Sequence, residues 1–582
     1  MFRRLVGLLF FGLLVEGQLI RDLDWGELNF VHTTDTHGWL PGHLLEPQFS
    51  ANWGDYISFT QHMRRRADEK GVDVVVVDTG DRHDGNGLSD ATNPDGAISQ
   101  QIFKQADLDI VTIGNHELYK DEIGEQELDV LASHYGERYL TSNVDIWDDE
   151  SNEWKSIGGR YRVFTTKNQG YKVVAFGFLF DFNGYSPNTR VTLVEDAVEQ
   201  DWFMEALEEA DVDVFLIAGH IPVRHFPEFE TIVNAIRKRH PSTPVQALGG
   251  HSHIRDYVVI DKWATALESG RFLETIGWAS LTGIDRNGGP NEDLRFSRTY
   301  IDFNLDSLTH HTNTTRETFP TAEGEAVANA IAEYRDFLNL TEHLGCVPHS
   351  FYTNKAKYPS PHNIFSLLEK KILPMVESDV RDNSNPRYIM INTGGIRYDL
   401  MKGPFTKDTG FIVSPFPSKW MYIPSVPAET ARQLLPLLNR RDRVIFNTQT
   451  LDFSDLGLPA DRCDDDEEIH GFKFQNQQPL GVEEEDALQL TGGYVTHDDL
   501  GTTGDDTPHK PWPYYGVPNV VQASQNVEEN VSEIDVVFND FMKPFIIAVL
   551  EELGEDYDPI ELYGGKSVID LLPLYFTDDK CY

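Results

Sequence analysis

Residues 28–37, Leu-Asn-Phe-Val-His-Thr-Thr-Asp-Thr-His, begin as an apolar run and end in Asp and His side chains, which are of types that can bind metal ions. Residues 74–81, Val-Val-Val-Val-Asp-Thr-Gly-Asp, repeat the pattern. Continuous apolar runs of this length are typical of strands that are covered on both faces. We therefore predict strands at Leu28–Thr33, Val72–Val77, Ile110–Ile113, Tyr171–Phe178, Val212–Ala218 and Val245–Leu248.

Amphipathic helices are predicted between these strands, for example at Ala97–Ala106 and Glu199–Ala210. Alternating strands and helices indicate an α/β architecture. Polar clusters follow the strands at their carboxyl ends, where open α/β sheets place their functional sites. The ligand-type residues in these clusters are Asp35, His37, Asp81, Asn115, His116, His220, His251 and His253.

This set of side chains combines oxygen and imidazole ligands without cysteine. Such a mixture suits a pair of divalent Zn, Mn, Fe or Co ions. Gly80 lets the chain turn sharply before Asp81, whose carboxylate can bridge two ions about 3.5–4 Å apart. A single Asp or His at a strand end is usually a cap or a satisfied polar residue. The recurrence of ligand types beside glycines favours the metal interpretation.

Composition restricts the class of partner. The chain has 582 residues and a formal net charge of −45. So acidic a protein is poorly suited to nucleic acids or anionic membranes, which are bound by Lys and Arg. The charge suits an acidic or extracellular space, although acidity that serves only solubility explains it equally well.

The amino terminus predicts a secretory route. Arg3 and Arg4 precede an apolar run that ends near Gly17, so residues 1–17 are predicted to be a signal peptide. A retained anchor is the alternative; we favour cleavage, which leaves no transmembrane anchor. The expected location is extracellular or a lumen of the vacuole or lysosome type. Asn313, Asn339 and Asn530 begin N-glycosylation triplets, and one disulfide is feasible among Cys346, Cys463 and Cys581.

A change in composition after Leu305 suggests a second domain. We assign residues 24–305 to the first domain, 306–340 to a linker and linker helix, and 341–582 to the second domain. The second domain contains a strand-to-loop segment at residues 388–397. Acidic runs at residues 464–468 and 483–486 are expected to be solvated, and residues 493–509 are expected to form a structured loop.

The polar clusters resemble the five motifs of the calcineurin-like metallophosphoesterases, in family order. These are Asp35-Thr-His37, Gly80-Asp81-Arg-His-Asp-Gly85, Gly114-Asn115-His116-Glu117, Gly219-His220 and Gly250-His251-Ser-His253. Residues 392–397, Asn-Thr-Gly-Gly-Ile-Arg, and Ser414-Pro-Phe416 are similar to the nucleotide-binding domain of secreted 5′-nucleotidases. The chain resembles a divergent, fungal-like member of that two-domain family.

The resemblance implies a fold, a mechanism and site residues. The expected fold is a β-sandwich flanked by helices (αββα), followed by an α/β domain that binds substrate. One metal ion would be held by Asp35, His37, Asp81 and His253, and the other by Asp81, Asn115, His220 and His251. A metal-bound hydroxide would attack phosphorus, with His116 as the catalytic residue. The implied substrate-binding residues are Asn392, Arg397 and Phe416.

Two positions depart from the family pattern. The family usually places an Asp three residues after the catalytic His, where this chain has Tyr119. Glu117, Asp121 or the phenol itself would have to orient the imidazole. The late Gly-Gly-Asp-Gly-Phe stretch that carries a second base-stacking aromatic is also missing; Tyr494 lies in that region, where a core position is the favoured interpretation.

The leading hypothesis is a metal-dependent hydrolase that releases phosphate from a small phosphorylated molecule, with a nucleotide as the expected substrate and a role in nucleotide catabolism. A phosphodiesterase or pyrophosphatase, acting on cyclic nucleotides or nucleotide sugars, is the alternative within enzymes. A catalytically weak secreted binding protein that retains the fold is the alternative of another class.

Overall fold

The computed structural model of the protein describes residues 20–286, 291–440 and 491–577, except 494–495, 502, 512–514, 556 and 558–559. The predicted signal peptide, the two acidic runs, Tyr494, Cys463 and Cys581 lie outside these residues. Cys346 is disulfide-bonded. No helix among the described residues is long and apolar enough to cross a membrane.

The first domain contains strands that match the predicted runs to within a few residues. Its strands are β1 (Leu28–Thr33), β2 (Asp73–Asp78), β3 (Ile110–Val111), β4 (Val144–Asp148), β5 (Glu153–Ser156), β6 (Tyr161–Thr165), β7 (Lys172–Leu179), β8 (Thr189–Val191), β9 (Val214–His220), β10 (Val245–Gly249), β11 (Arg255–Asp261), β12 (Ala264–Ser269), β13 (Thr275–Thr282) and β14 (Arg295–Asp302).

Helices lie between these strands and after them. They are α1 (Trp53–Lys70), α2 (Gly87–Asp90), α3 (Ser99–Phe103), α4 (Asp121–Gln126), α5 (Ser133–Tyr135), α6 (Val194–Ala197), α7 (Asp201–Leu207), α8 (Glu228–Arg237), α9 (Leu305–Thr312) and α10 (Ala322–Phe337). The two helices predicted from the sequence correspond to α3 and α7, each shorter than expected.

Two mixed sheets form the centre of this domain. One has the strand order β14-β13-β1-β2-β3, and the other includes β11-β12-β10-β9-β7-β6. Leu28, Phe30 and Val75 pack between the sheets, whereas Val31 and Val76 pack under the helices. Both faces of β1 and β2 are covered because successive side chains point to opposite faces of a strand. The predicted αββα sandwich is confirmed.

The second domain is built on another mixed sheet, of order β22-β16-β23-β18-β24. Ile389 and Tyr388 of its strand β16 enter different cores, so this sheet is also covered on both faces. The elements of this part of the chain are β15 (His343–Val347), α11 (Ile364–Leu367), β16 (Arg387–Asn392), β17 (Gly403–Thr406), α12 (Lys407–Val413), β18 (Trp420–Pro427), α13 (Ala428–Arg440), β19 (Thr491–Gly493), β20 (Thr496–Asp498), β21 (His509–Pro511), β22 (Val520–Gln525), β23 (Glu533–Asn539), β24 (Glu561–Leu562), α14 (Lys543–Glu552) and α15 (Val568–Tyr575).

Residues 496–506, which we call the strap, leave the second part of the chain and pack on the first domain. Strand β20 of the strap pairs in parallel with β11 and becomes the edge of the second sheet. Arg298 Nε lies 2.6 Å from Asp498 Oδ2, and Arg255 Nη1 lies 3.0 Å from Asp505 Oδ1. The expected structured loop is therefore present in the strap, held by buried charge pairs.

The segment after Leu305, expected as linker and linker helix, packs into the core of the first domain. Phe319 and Ile331 belong to the same apolar cluster as Trp53 of α1. Helices α1 and α10 approach closely where glycines face each other. A Cβ on Gly324 would lie 2.1 Å from Ser58 Oγ and 2.4 Å from the Gly54 carbonyl oxygen.

Replacing Gly324 with Ala tests this crossing. Alanine favours a helix by about 1 kcal/mol over glycine, but the added methyl group would collide with a backbone carbonyl that cannot rotate away. We expect Gly324→Ala to lower the free energy of unfolding by about 1–3 kcal/mol, measured by urea denaturation. Glu325→Ala, at an exposed position on the same helix, should change it by less than about 0.5 kcal/mol. A Gly324→Ala variant as stable as the parent would contradict the close crossing.

Candidate metal and catalytic site

Two buried carboxylates lie at the ends of the central strands. Asp35 Oδ2 accepts hydrogen bonds from the Thr34 hydroxyl (2.6 Å) and from the His251 backbone N–H (3.0 Å). Asp81 Oδ1 accepts one from the His116 backbone N–H (2.9 Å). The remaining oxygens, Asp35 Oδ1 and Asp81 Oδ2, accept no hydrogen bond from a hydroxyl or backbone group among the residues that the structure describes. Buried carboxylate oxygens left in this state are suited to cations.

The imidazoles are oriented toward the same point. His220 Nδ1–H donates to the Thr79 carbonyl (2.9 Å), which leaves Nε2 facing Asp81 Oδ2 at 3.1 Å. His37 Nε2 lies 3.8 Å from Asp35 Oδ1 and 3.8 Å from Asp81 Oδ2. His253 Nε2 lies 3.1 Å from Asp35 Oδ1. An Nδ1–H bound to a carbonyl is the usual way in which a metal-binding Nε2 is aimed.

These side chains form two groups that share one residue. Ligand atoms of Asp35, His37, Asp81 and His253 lie within 4.8 Å of one another, as do those of Asp81, His220 and His251. Asn115 is 1% exposed, and its Oδ1 has no hydrogen-bond partner within the described ranges. The donor set therefore fits two divalent cations with the Asp81 carboxylate between them. All residues predicted as ligands except Asn115 are members of these two groups.

The backbone of the site adopts conformations that the sequence did not reveal. Left-handed φ angles occur at Asp35 (49°), His37 (44°), Asp81 (58°), His251 (77°) and His253 (66°). Each such residue costs roughly 1–2 kcal/mol, since its Cβ crowds the following carbonyl oxygen. Strain of this kind is retained where the surrounding structure enforces it, and it clusters at functional sites.

Glu117 supports this strained backbone. Its carboxylate accepts hydrogen bonds from the backbone N–H groups of Asp81 (2.9 Å), Arg82 (2.6 Å) and Gly114 (2.7 Å). It thereby ties together the loops that follow β2 and β3. Glu117 was one of the groups expected to orient His116, and the structure gives it this different role.

A further group of possible ligands, His83, Glu117 and Glu127, lies beneath the site. The guanidinium of Arg82 already provides a cation there, because it lies 3.4 Å from Glu127 Oε2 and 2.9 Å from Asp78 Oδ1. Burial would lower the pKa of His83, but Glu127 and Glu117 raise it to about 9. Charge in this group is balanced by side chains, so we assign it no metal ion.

Asp84 orients the imidazole of His116. Asp84 Oδ2 lies 2.6 Å from His116 Nδ1, so the other ring nitrogen faces Asp81 Oδ2 at 3.8 Å. Burial would raise the pKa of Asp84, but the hydrogen bond and charge of His116 lower it to about 2. Asp84 was not among the residues predicted from the sequence, although it stands in the quoted Gly80–Gly85 motif, three residues after Asp81.

The other candidates to orient His116 contact other groups. Asp121 begins α4, and its Oδ1 accepts a hydrogen bond from the Asn188 backbone N–H (3.2 Å). The Tyr119 ring packs edge-on to the His116 ring at 4.9 Å, but its hydroxyl oxygen accepts a hydrogen bond from Asn115 Nδ2 (2.9 Å).

Among the described residues, the loop that follows β16 brings the second domain to this site. Arg397 Nη2 lies 3.3 Å from His37 Nε2, so the guanidinium stands at the rim of the ligand groups. Asn392 is buried, and its Oδ1 accepts a hydrogen bond from Asn539 Nδ2 (2.9 Å). Phe416 is half-buried. The neighbouring Tyr398 connects the two domains, because its hydroxyl group donates a hydrogen bond to Glu46 Oε2 of the first domain (2.6 Å).

Burial and neighbouring charges raise the pKa of one histidine in the ligand groups and lower that of another. Burial would lower the pKa of His220, but the carboxylates of Asp81 and Asp35 raise it to about 10. Burial lowers the pKa of His251 to about 3, and the neighbouring His220 charge adds to this. The metal-free site therefore carries a protonated His220 beside a neutral His251 at neutral pH.

This protonation state predicts proton release when metal binds. At pH 7.5, His220 in the metal-free protein is protonated because its pKa is about 10, whereas a metal ligand must be neutral. We expect Zn²⁺ or Mn²⁺ binding to release about one proton from His220, and affinity to rise with pH up to about 10. Calorimetry in buffers of different ionisation enthalpy measures this release, with His310→Gln as a surface control. Metal binding without proton release would contradict the assignment.

Comparison with known proteins agrees with this geometry. Residues 28–255 match the family model described as calcineurin-like phosphoesterase. Residues 350–547 match the model described as NAD nucleotidase, C-terminal domain. The first match contains all the ligand groups, and the second contains Asn392, Arg397 and Phe416.

Similar proteins span nearly the whole chain. A crystal structure of 5′-nucleotidase from Candida albicans is 40% identical, with a TM-score of 0.87, and covers 97% of this chain and 100% of its own. A protein of Arthroderma benhamiae named "Secreted protein" is 39% identical, over 94% of this chain and 88% of its own. A 5′-nucleotidase precursor from Thermus thermophilus is 15% identical, with a TM-score of 0.54 over 94% and 96% of the two chains, and shares the fold. The chain therefore belongs to the 5′-nucleotidase family of the calcineurin-like metallophosphoesterases and is a metal-dependent phosphoester hydrolase.

Proposed function

We propose that the protein releases phosphate from nucleotides, and that Asp35, His37, Asp81 and His253 hold one divalent ion while Asp81, Asn115, His220 and His251 hold the other. The observation that carries this proposal is the sharing of Asp81 by two buried ligand groups. A nucleotide is favoured because the Candida albicans relative is a 5′-nucleotidase and because residues 350–547 match a nucleotidase domain.

The metal sites and His116 have different proposed roles in catalysis. Divalent ions at the two sites would lower the pKa of a water molecule and neutralise charge on the phosphoryl oxygens. His116, with Nδ1 held by Asp84, presents Nε2 to the phosphoryl group or to the leaving oxygen. An imidazole held in one tautomer beside a carboxylate can stabilise negative charge or donate a proton.

The second domain supplies the proposed substrate contacts. Arg397 stands 3.3 Å from a proposed metal ligand, so its fork of N–H donors can bind phosphoryl oxygens. Phe416 offers a half-exposed ring for a base, and Asn392, held by Asn539, lies at the end of the same β16 strand that leads to Arg397. We assign these three residues to substrate binding.

Entry into the secretory pathway is proposed with this function. The predicted signal peptide at residues 1–17 and the relative named as a secreted protein support it. Asn313, Asn339 and Asn530 are exposed, as glycosylated asparagines must be. The extracellular space and a lumen of the vacuole type both agree with these features.

Cleavage of a pyrophosphate bond is a second candidate, favoured by the match to the NAD nucleotidase domain. A substrate panel separates the two. We expect the purified protein with Mn²⁺ or Zn²⁺ to release phosphate from nucleoside 5′-monophosphates faster than it cleaves cyclic nucleotides, nucleotide sugars or NAD. Asp81→Asn, which loses the bridging charge, should reduce all turnover by at least 10³-fold, on the order expected for metal catalysis.

The same panel can contradict the proposal in two ways. Preferential cleavage of NAD or nucleotide sugars would favour a pyrophosphatase. Absence of turnover in protein that contains both metal ions would favour a binding protein that retains the fold.

Asp84 provides a separate test of the catalytic role of His116. Asp84→Asn keeps the size of the side chain but removes the charge that stabilises the protonated imidazole. We expect kcat at pH 7 to fall by about 10²–10⁴-fold, while metal content measured by mass spectrometry stays at two ions. Asp95→Asn, which removes a carboxylate paired with Lys120 near the surface, is the matched control. A kcat within about threefold of the parent would exclude this role.

A further inference from the structure

Tyr119 stands where the family usually has the carboxylate that orients His116. Its ring packs edge-on to His116 at 4.9 Å and to Phe182 at 5.6 Å, and the residue is 41% exposed. Because Asp84 holds His116, the residue at position 119 does not need to orient the imidazole. Its hydroxyl group is therefore available for another contact in the site.

That contact is made with a proposed metal ligand. Asn115 Nδ2 donates a hydrogen bond to the Tyr119 hydroxyl oxygen, at 2.9 Å. The other end of the same amide, Oδ1, is buried and has no hydrogen-bond partner in the described part of the chain. A divalent cation binds the oxygen of an amide and not its nitrogen, so fixing the nitrogen end determines where the oxygen is presented.

We propose that Tyr119 is a positioning residue for Asn115, and that its phenol oxygen holds the amide nitrogen so that the amide oxygen faces the second metal ion. The proposal rests on the two-metal site described above and is independent of the substrate. In this role Tyr119 orients a ligand through a hydrogen bond and does not contact the ion itself.

The rest of the loop explains why this contact is needed. Asn115 follows Gly114, where an added Cβ would lie 2.1 Å from Asp81 Oδ1, so the backbone is already pressed against the bridging carboxylate. Glu117 also fixes this backbone, because its carboxylate accepts a hydrogen bond from the Gly114 N–H. The Asn115 side chain keeps rotational freedom at two torsions, and the hydrogen bond to Tyr119 restricts both.

The test compares two variants that each remove one phenol oxygen. Tyr119→Phe keeps the ring and its contact with His116 but leaves Asn115 Nδ2 without this acceptor. Tyr185→Phe makes the same change on the other side of Phe182, whose ring centre lies 6.3 Å from that of Tyr185. Full-length protein is stripped of metal and titrated with Mn²⁺ or Zn²⁺ against a competing chelator, and bound metal is counted by mass spectrometry.

We expect Tyr119→Phe to weaken binding of one ion by about 10–100-fold, as is typical when a group that hydrogen-bonds a metal ligand is lost, and to leave the affinity for the other ion within about threefold. Tyr185→Phe should match the parent at both sites. Equal affinity of the parent and Tyr119→Phe for both ions would overturn the proposal. So would a parent protein that takes up only one ion, or an equal loss at both sites with a lowered melting temperature.

Activity provides a second readout that separates positioning from catalysis. If Tyr119 acts through Asn115, excess metal should return kcat of Tyr119→Phe to within about threefold of the parent, because saturation compensates for the weaker site. A kcat that stays low when both sites are filled would assign Tyr119 to the chemical step and overturn the proposal. Because metal binding is measured without substrate, failure of the nucleotidase proposal would leave this result interpretable.

Discussion

The structure depends on keeping two carboxylates, Asp35 and Asp81, ionised at a place where water cannot reach them. Both are fully buried, and isolated buried charges of this kind are very costly. Burial would raise their pKa values, but the surrounding imidazoles, His220 foremost, hold both well below the usual range. His220, which offsets the burial of both carboxylates, is therefore also one of the side chains that we propose as cation ligands.

The supporting residues follow from this constraint. Asp81 has a left-handed backbone that brings its carboxylate between the two ligand groups, and Glu117 holds that backbone through three N–H groups. Glu117 is itself an additional buried acid, and Arg82 lies 3.9 Å from its carboxylate. Arg82 thus offsets the charge of Glu117, and removal of either side chain would disturb the backbone that carries Asp81 without contacting its carboxylate.

Much of this arrangement could be predicted from the sequence because it depends on local patterns. Strand β1 was placed at its observed bounds, and the Asp, His and Asn side chains after the strands were predicted as ligands from their types and their glycine neighbours. The Asp84–His116 contact was not predicted, because it depends on a left-handed turn at Asp84 (φ 66°) that brings a neighbouring motif across to the imidazole. The roles of Glu117 and Tyr119 were missed for the same reason, since each contacts a group whose position is set by tertiary structure.

The second half of the chain was less predictable because its contacts are between distant segments. Residues 306–340 were predicted to be a linker and linker helix, yet apolar side chains such as Phe319 and Ile331 complete a core around α1. Likewise, the strap is rich in Gly, Thr and Asp, and its place in the first domain's sheet depends on pairing with β11 and on ion pairs with Arg298 and Arg255.

The strap also determines how the two halves of the molecule respond to heat. Strand β20, at the start of the strap, is hydrogen-bonded to β11 of the first domain, and the chain continues after the strap into β22–β24 of the second half. The stability of each half is therefore coupled to that of the other through this segment. Separate calorimetric transitions, which are common in two-domain chains, would be merged into one cooperative transition. Cutting the backbone within the strap would separate the single transition into two, without changing any residue of the ligand groups.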